Sequence, residues 1–198
     1  MNERVDQATP VRERILKAAF DLFYRQGYRA TGVNQLISEA DVAKASFYEH
    51  FPSKDDLLLA YAEEQARLEY RQLKAAVESW SDPEDRFFAA FHVLYAWLKA
   101  TEYRGCPFQN LVAEVSDHVG PVRKVAERHR ENLKRIFAEA ADYLKEWSPE
   151  YADLETGQLV NAYLLLFEGA IATAVAYRSH WPVDEAIKAM GRFLEKGH

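Results

Sequence analysis

Apolar positions along the chain recur at helical spacing almost from end to end, and no stretch alternates in the way a strand would. Val33, Leu36, Ile37 and Ala40 form one stripe, which breaks at Glu39, Ala40 and Asp41 before a second short stretch from Lys44 to His50. Two helices of two turns, separated by about three residues, have the dimensions of a helix-turn-helix unit. Pro52 stops the second helix, and Ser53 with Asp56 three residues on has the pattern of a capping box opening a third. Upstream, Ile15, Ala18, Ala19, Leu22 and Phe23 predict a helix that follows Pro10 and closes at Gly27.

Downstream, a stripe from Leu58 through Tyr61, Ala62, Leu68, Leu73 and Val77 predicts a long helix from Lys54 to Trp80. At 1.5 Å per residue it spans about 40 Å, so movement at one end would move the other as a lever. Ser81-Asp82-Pro83-Glu84 marks a fresh start. Further helices follow: one through Phe87, Phe91 and Leu98 closing at Gly105, one from Cys106-Pro107 to His118, and one from Gly120-Pro121 to Trp147. The last two run from about Leu154 to Ser179 and onward from Pro182. The fold class is therefore all-α: an N-terminal three-helix bundle, residues 1–53, joined by a long helix to a larger helical domain, residues 54–198.

Segment 31–57, TGVNQLISEADVAKASFYEHFPSKDDL, resembles the DNA-binding domain of TetR family transcriptional regulators. The matching positions are Thr31, then Ile37, Ala40 and Val42 around the turn, Ser46-Phe47-Tyr48-Glu49-His50-Phe51, Lys54 and Leu57. Two positions depart from the pattern. Asp41 stands where the family usually has glycine, and Asp tolerates the left-handed conformation better than most other side chains. Ala43 stands where a capping Ser or Thr is common, at a cost of roughly 1 kcal/mol.

The resemblance implies a recognition helix beginning at Lys44-Ala45-Ser46. Lys44 can donate to guanine O6 and N7, Ala45 can touch a thymine methyl, and Ser46 can reach a base or a phosphate. Tyr48 and Lys54 correspond to the family's phosphate anchors, Thr31 adds a hydroxyl before the bracing helix, and His50 closes the recognition helix. Arg12 and Arg14, at the start of the first helix, are either phosphate contacts or a solvated helix end. Phe47 and Phe51 belong to the core.

For the larger domain the resemblance implies an effector cavity among the aromatic helices. The candidates are Phe91, His92, Tyr95, Cys106, Phe108, Gln109, Asn110, His118, Phe137, Tyr163 and Phe167. An aromatic stripe is also what a plain core looks like, and both readings stand. Gly105-Cys106-Pro107 resembles a step in a subgroup of these regulators, some of which respond to oxidants or electrophiles. A thiol at a helix N-cap is activated, while a free cysteine is often just a small buried hydrophobe. Small residues on the penultimate helix, Gly169, Ala170, Ala172, Thr173, Ala174 and Ala176, permit close helix approach and resemble the family's four-helix dimer arrangement. A homodimer would place two recognition helices on a palindromic duplex.

Charge and composition narrow the alternatives. The net charge of −6 argues against a protein that coats nucleic acid. Through residue 56 there are eight Lys and Arg against nine Asp and Glu, so DNA binding must rest on a local basic and amide-rich face. One cysteine excludes an intrachain disulfide and suits a reducing cytoplasm. Asn161 and Glu168 interrupt the longest apolar run, which reads as a buried helix rather than a membrane span. Glu114 and His118 lie four apart without a third ligand, so no metal is expected, nor any other cofactor. There is no nucleophile elbow, phosphate-binding glycine loop or paired catalytic carboxylates, which argues against an enzyme. The expectation is a DNA-binding regulator, a repressor, released by a small-molecule effector or by cysteine modification. The rival is a helical partner-binding protein that has lost DNA binding.

Overall fold

The computed structural model of the chain describes residues 9–115 and 120–195. Among them the regular structure is helical throughout: α1 (Val11–Gln26), α2 (Val33–Glu39), α3 (Lys44–His50), α4 (Lys54–Glu78), α5 (Pro83–Ala100), α6 (Pro107–Glu114), α7 (Gly120–Trp147), α8 (Thr156–Tyr177) and α9 (Trp181–Glu195). The ends have local causes. The Pro10 carbonyl accepts the Glu13 and Arg14 N–H groups and starts α1. Asp82 caps α5 by accepting from the Asp85 N–H at 2.9 Å, with Pro83 at the first helical position. Ser53 Oγ accepts the Asp56 N–H at 3.1 Å and donates to its carboxylate at 2.7 Å, so the cap on α4 is present but its return leg goes to the side chain.

Two expected boundaries differ. Helix α5 ends at Ala100 rather than Gly105, because Glu102 and Tyr103 both turn left-handed, at φ 50° and 59°. Helix α6 ends at Glu114, short of His118, which lies outside the described residues.

The chain divides into two compact units. The first takes residues up to Ala66 and then Pro107–Ala126; the second takes Arg67–Cys106 and Glu127 onward. The expected cut at residue 53 thus falls inside the first unit. The reason is burial: Leu57, Leu58, Tyr61 and Ala62 on α4 are at most 1% exposed, and Tyr61 meets Phe20 and Phe23 edge-on at 5.0 and 5.5 Å. Ile15, Ala19, Leu36 and Phe47 complete that core. At roughly 1.5–3 kcal/mol per fully buried large side chain, these first two and a half turns of α4 are part of the bundle, not a linker leaving it.

In the second unit Phe91, Phe137, Tyr163 and Phe167 pack on one another. Tyr163 stacks on Phe91 at 4.5 Å and on Phe137 at 4.2 Å, and its hydroxyl donates to the Phe87 carbonyl at 2.9 Å. Helix α8 is long and apolar enough to cross a membrane. Its Leu159, Val160, Tyr163, Phe167, Ala170, Ile171 and Ala174 are instead buried in the unit, as in a core helix.

Candidate nucleic-acid interface

Helix α3 is held by one face and presents the other. Phe47 is fully buried and Phe51, just past the helix end, is 3% exposed. Lys44, Ala45, Tyr48, Glu49 and His50 are exposed, and Ser46 is half-buried. Tyr48 rests edge-on against Phe47 at 5.4 Å, which orients the phenol outward. The face combines an ammonium, a methyl, two hydroxyls and an imidazole on two turns of helix, the chemistry that reads groove edges and phosphates. Ala43 stands at the N-cap with no side-chain cap, as its residue type requires.

Behind α3, the 27–31 turn is fixed by groups that the sequence suggested would face DNA. Thr31 is 1% exposed, and its hydroxyl donates to the Gly27 carbonyl at 2.7 Å and accepts from Gln26 at 3.1 Å. The expected outward hydroxyl contact from Thr31 is therefore not available: the hydroxyl is a joint inside the bundle. The Lys54 ammonium donates to the Tyr28 and Thr31 carbonyls at 3.1 and 3.0 Å and lies 4.0 Å from the centre of the Tyr28 ring. Burial lowers its pKa, while Asp55 and Glu114 pull it back up. Asp55 in turn accepts the Tyr28 phenol, and burial together with this bond raises the Tyr28 pKa. Arg29 donates its backbone N–H to Glu114 of α6 at 3.1 Å, so α6 reaches the same turn.

Arg12 is exposed and stands 5.4 Å over the Phe51 ring. Arg14 is neither a solvated helix end nor an open phosphate ligand: its side chain is 10% exposed and bound to the turn after α2. Sequence reasoning missed this role and those of Tyr28, Gln26 and Glu114. The signal available was Asp41 in a place that favours glycine, which calls for a compensating partner.

The effector candidates are distributed over both units. Phe91, Phe137, Tyr163 and Phe167 form the stacked core of the second unit. Tyr95 packs on the His180 ring at 4.3 Å, and His92 is exposed beside Trp80 at 5.9 Å. Cys106 belongs to the second unit and is 5% exposed, immediately before α6. Phe108, Gln109 and Asn110 belong to the first unit, Phe108 fully buried. His118 lies outside the described residues, and no group of three or more His, Cys, Asp or Glu among the described residues could hold a metal ion.

An outward-facing short helix braced by two others defines a helix-turn-helix DNA-binding protein. Residues 15–61 match the family described as bacterial regulatory proteins, tetR family, and residues 83–190 match the tetracyclin repressor-like C-terminal domain. The chain belongs to the TetR family, and it is a DNA-binding transcriptional regulator, not an enzyme.

Among its relatives is the HTH-type transcriptional regulator LmrA of Bacillus subtilis, 29% identical over 174 residues, covering 87% of this chain and 90% of LmrA. The HTH-type transcriptional repressor NemR of Escherichia coli K12 is 25% identical over 189 residues, 94% of each chain. The crystal structure of SCO4454, a TetR-family regulator from Streptomyces coelicolor, superposes with a TM-score of 0.80 at 26% identity, covering 94% of this chain and 89% of that one. Reduced E. coli NemR gives 0.77 at 24% identity, covering 93% and 97%, and shares the fold.

Proposed function

We propose that the protein is a cytoplasmic homodimeric repressor that reads a palindromic operator and is released by a small-molecule effector taken up in its second unit. The observation that carries this reading is the outward face of α3. Lys44 and Ala45 at its start meet base edges; Ser46, Tyr48 and His50 meet bases or phosphates. Lys54 and Thr31 act one step back, holding the 27–31 turn from which α2 and α3 are set.

Support for the dimer comes from α8 and α9. Asn161, Leu165, Gly169, Ala172 and Ala176 are all exposed on one side of α8, Leu165 at 74%. A Cβ at Gly169 would meet nothing, so that position leaves open space for a neighbouring helix. Tyr177, Trp181 and Phe193 are 67%, 45% and 48% exposed. Apolar area of this kind marks an interaction surface, and a two-fold pairing would cover it twice. The effector signal would pass through α4 and α7, the helices with residues in both units.

Light scattering on the parent and on Leu165→Glu tests the dimer: a dimeric parent and a monomeric variant are expected, and an equally dimeric variant contradicts this face. On the DNA side, Lys44→Ala is expected to relax sequence discrimination at one base position, by roughly 1–3 kcal/mol. Lys54→Ala is expected to lower affinity for all sequences alike. If Lys44→Ala discriminated bases as the parent does, α3 would not be the reading element.

A further inference from the structure

The turn between α2 and α3 lacks both devices that normally fix such a corner. It has no glycine at its left-handed position, and α3 has no side-chain N-cap. Asp41 takes the left-handed conformation itself, at φ 51°. The hydrogen bonds are those of a Schellman ending: Val42 N–H to Ile37 O and Asp41 N–H to Ser38 O, both at 3.2 Å. A non-glycine residue pays a conformational penalty here. Asp41 also places an exposed carboxylate, its side chain 78% exposed, three residues before the helix that must approach polyanionic DNA.

We propose that Arg14 is a positioning residue for DNA reading: its guanidinium clamps this turn and cancels the charge of Asp41. Nε donates to the Ala40 carbonyl at 3.0 Å, and Nη2 donates to the Asp41 carbonyl and lies 3.2 Å from the Asp41 carboxylate. One planar fork thus binds two consecutive carbonyls and the side chain of the strained residue, which the single point charge of a lysine cannot reproduce. With its side chain 10% exposed, Arg14 is used up in the turn and does not reach phosphate. The direction of α3 relative to α1 is set through this contact, since α1 carries Arg14 and the clamped carbonyls lead directly into Lys44.

The test uses a duplex selected from random double-stranded DNA by the parent protein. Affinity is measured across a KCl series, well below the melting temperature of each variant, for the parent, Arg14→Ala, Arg14→Lys, Asp41→Gly and the Arg14→Ala/Asp41→Gly pair. Arg14→Ala is expected to weaken binding by roughly ten- to a hundredfold, the range for losing hydrogen bonds to a charged group. Its salt slope should stay that of the parent, because no phosphate contact is lost. Arg14→Lys should behave like Arg14→Ala and serves in its place where the alanine variant does not fold. Asp41→Gly should bind at least as tightly as the parent. The double variant should recover most of the loss, because glycine relieves the strain and removes the uncancelled charge.

A salt slope shallower by about 0.9 in Arg14→Ala, without rescue by Asp41→Gly, would make Arg14 a phosphate ligand and overturn the proposal. So would a variant whose melting temperature falls while its affinity and discrimination stay those of the parent, the mark of a stabilising contact only.

Discussion

Gly27 occupies a conformation that no other residue adopts cheaply, and the consequence of Gly27→Ala can be worked out term by term. Its φ of 92° and ψ of 160° lie in a region used almost only by glycine, so a Cβ there costs about 1–3 kcal/mol. A Cβ would also stand 2.5 Å from Glu114 Oε1 and 2.9 Å from Oε2. That clash is with the end of a flexible side chain and can be relieved by rotation. Rotation, however, gives up the bond from the Arg29 N–H to Glu114 Oε2, and for a part-exposed contact this loss is at most about 1 kcal/mol. Alanine's smaller unfolded-state entropy returns a few tenths of that. The sum is about 1–3.5 kcal/mol, or a fall in melting temperature of roughly 2–14 °C for a chain of this size. Calorimetry of the parent, Gly27→Ala, Glu114→Ala and the pair apportions the two terms. Glu114→Ala should cost at most about 1 kcal/mol and, in the pair, restore less than about 1 kcal/mol, because the backbone carries most of the penalty. A Gly27→Ala protein that melts with the parent, or a pair that recovers the whole loss, would refute this reasoning.

Three further outcomes follow from the second unit. Tyr163→Phe removes the hydroxyl that donates to the Phe87 carbonyl inside the aromatic stack; it is expected to cost about 1–2 kcal/mol in urea unfolding, and a neutral result would mean that the carbonyl finds another donor. His129 is buried, and burial, reinforced by Arg130, lowers its pKa to about 4 even though Glu69 lies 3.5 Å from its Nε2. The imidazole is neutral when folded and protonates near its ordinary value when unfolded. Its contribution therefore reduces stability as pH falls from about 6.5 toward 4 and levels off below that, by a few kcal/mol at most. His129→Gln should flatten this limb of the stability–pH curve, and an unchanged limb would locate the titration elsewhere. Cys106, at 5% exposure, should react slowly with a thiol reagent in the native protein and rapidly in denaturant, and fast native labelling would revive it as a sensor thiol.

The helices of the DNA-binding unit were legible because their apolar spacing is decided by the burial of Leu36, Phe47 and Phe51. The expected joint at residue 53 and the division after Ala66 differ for a related reason. An uninterrupted stripe runs from Leu57 into Leu73, and nothing in the pattern marks where one core stops and the next begins. Thr31, Lys54 and Arg14 show a different limit. Their types suit phosphate contact, but carbonyls left bare at the 27–31 and 40–41 turns compete for the same donors, and that competition exists only in three dimensions. The effector residues were least legible. An aromatic residue that stacks in a core, as Phe137 does on Tyr163, has the same periodicity as one that lines a cavity.

The central claim is that α3 reads DNA in a symmetric pair, and selection from a random double-stranded pool by the parent protein tests it most directly. The account predicts enrichment of an inverted repeat whose half-sites lie on one face of the duplex, bound with an affinity that falls linearly in log–log form as salt rises. No enrichment at low salt, or an enriched sequence without two-fold symmetry, would contradict it.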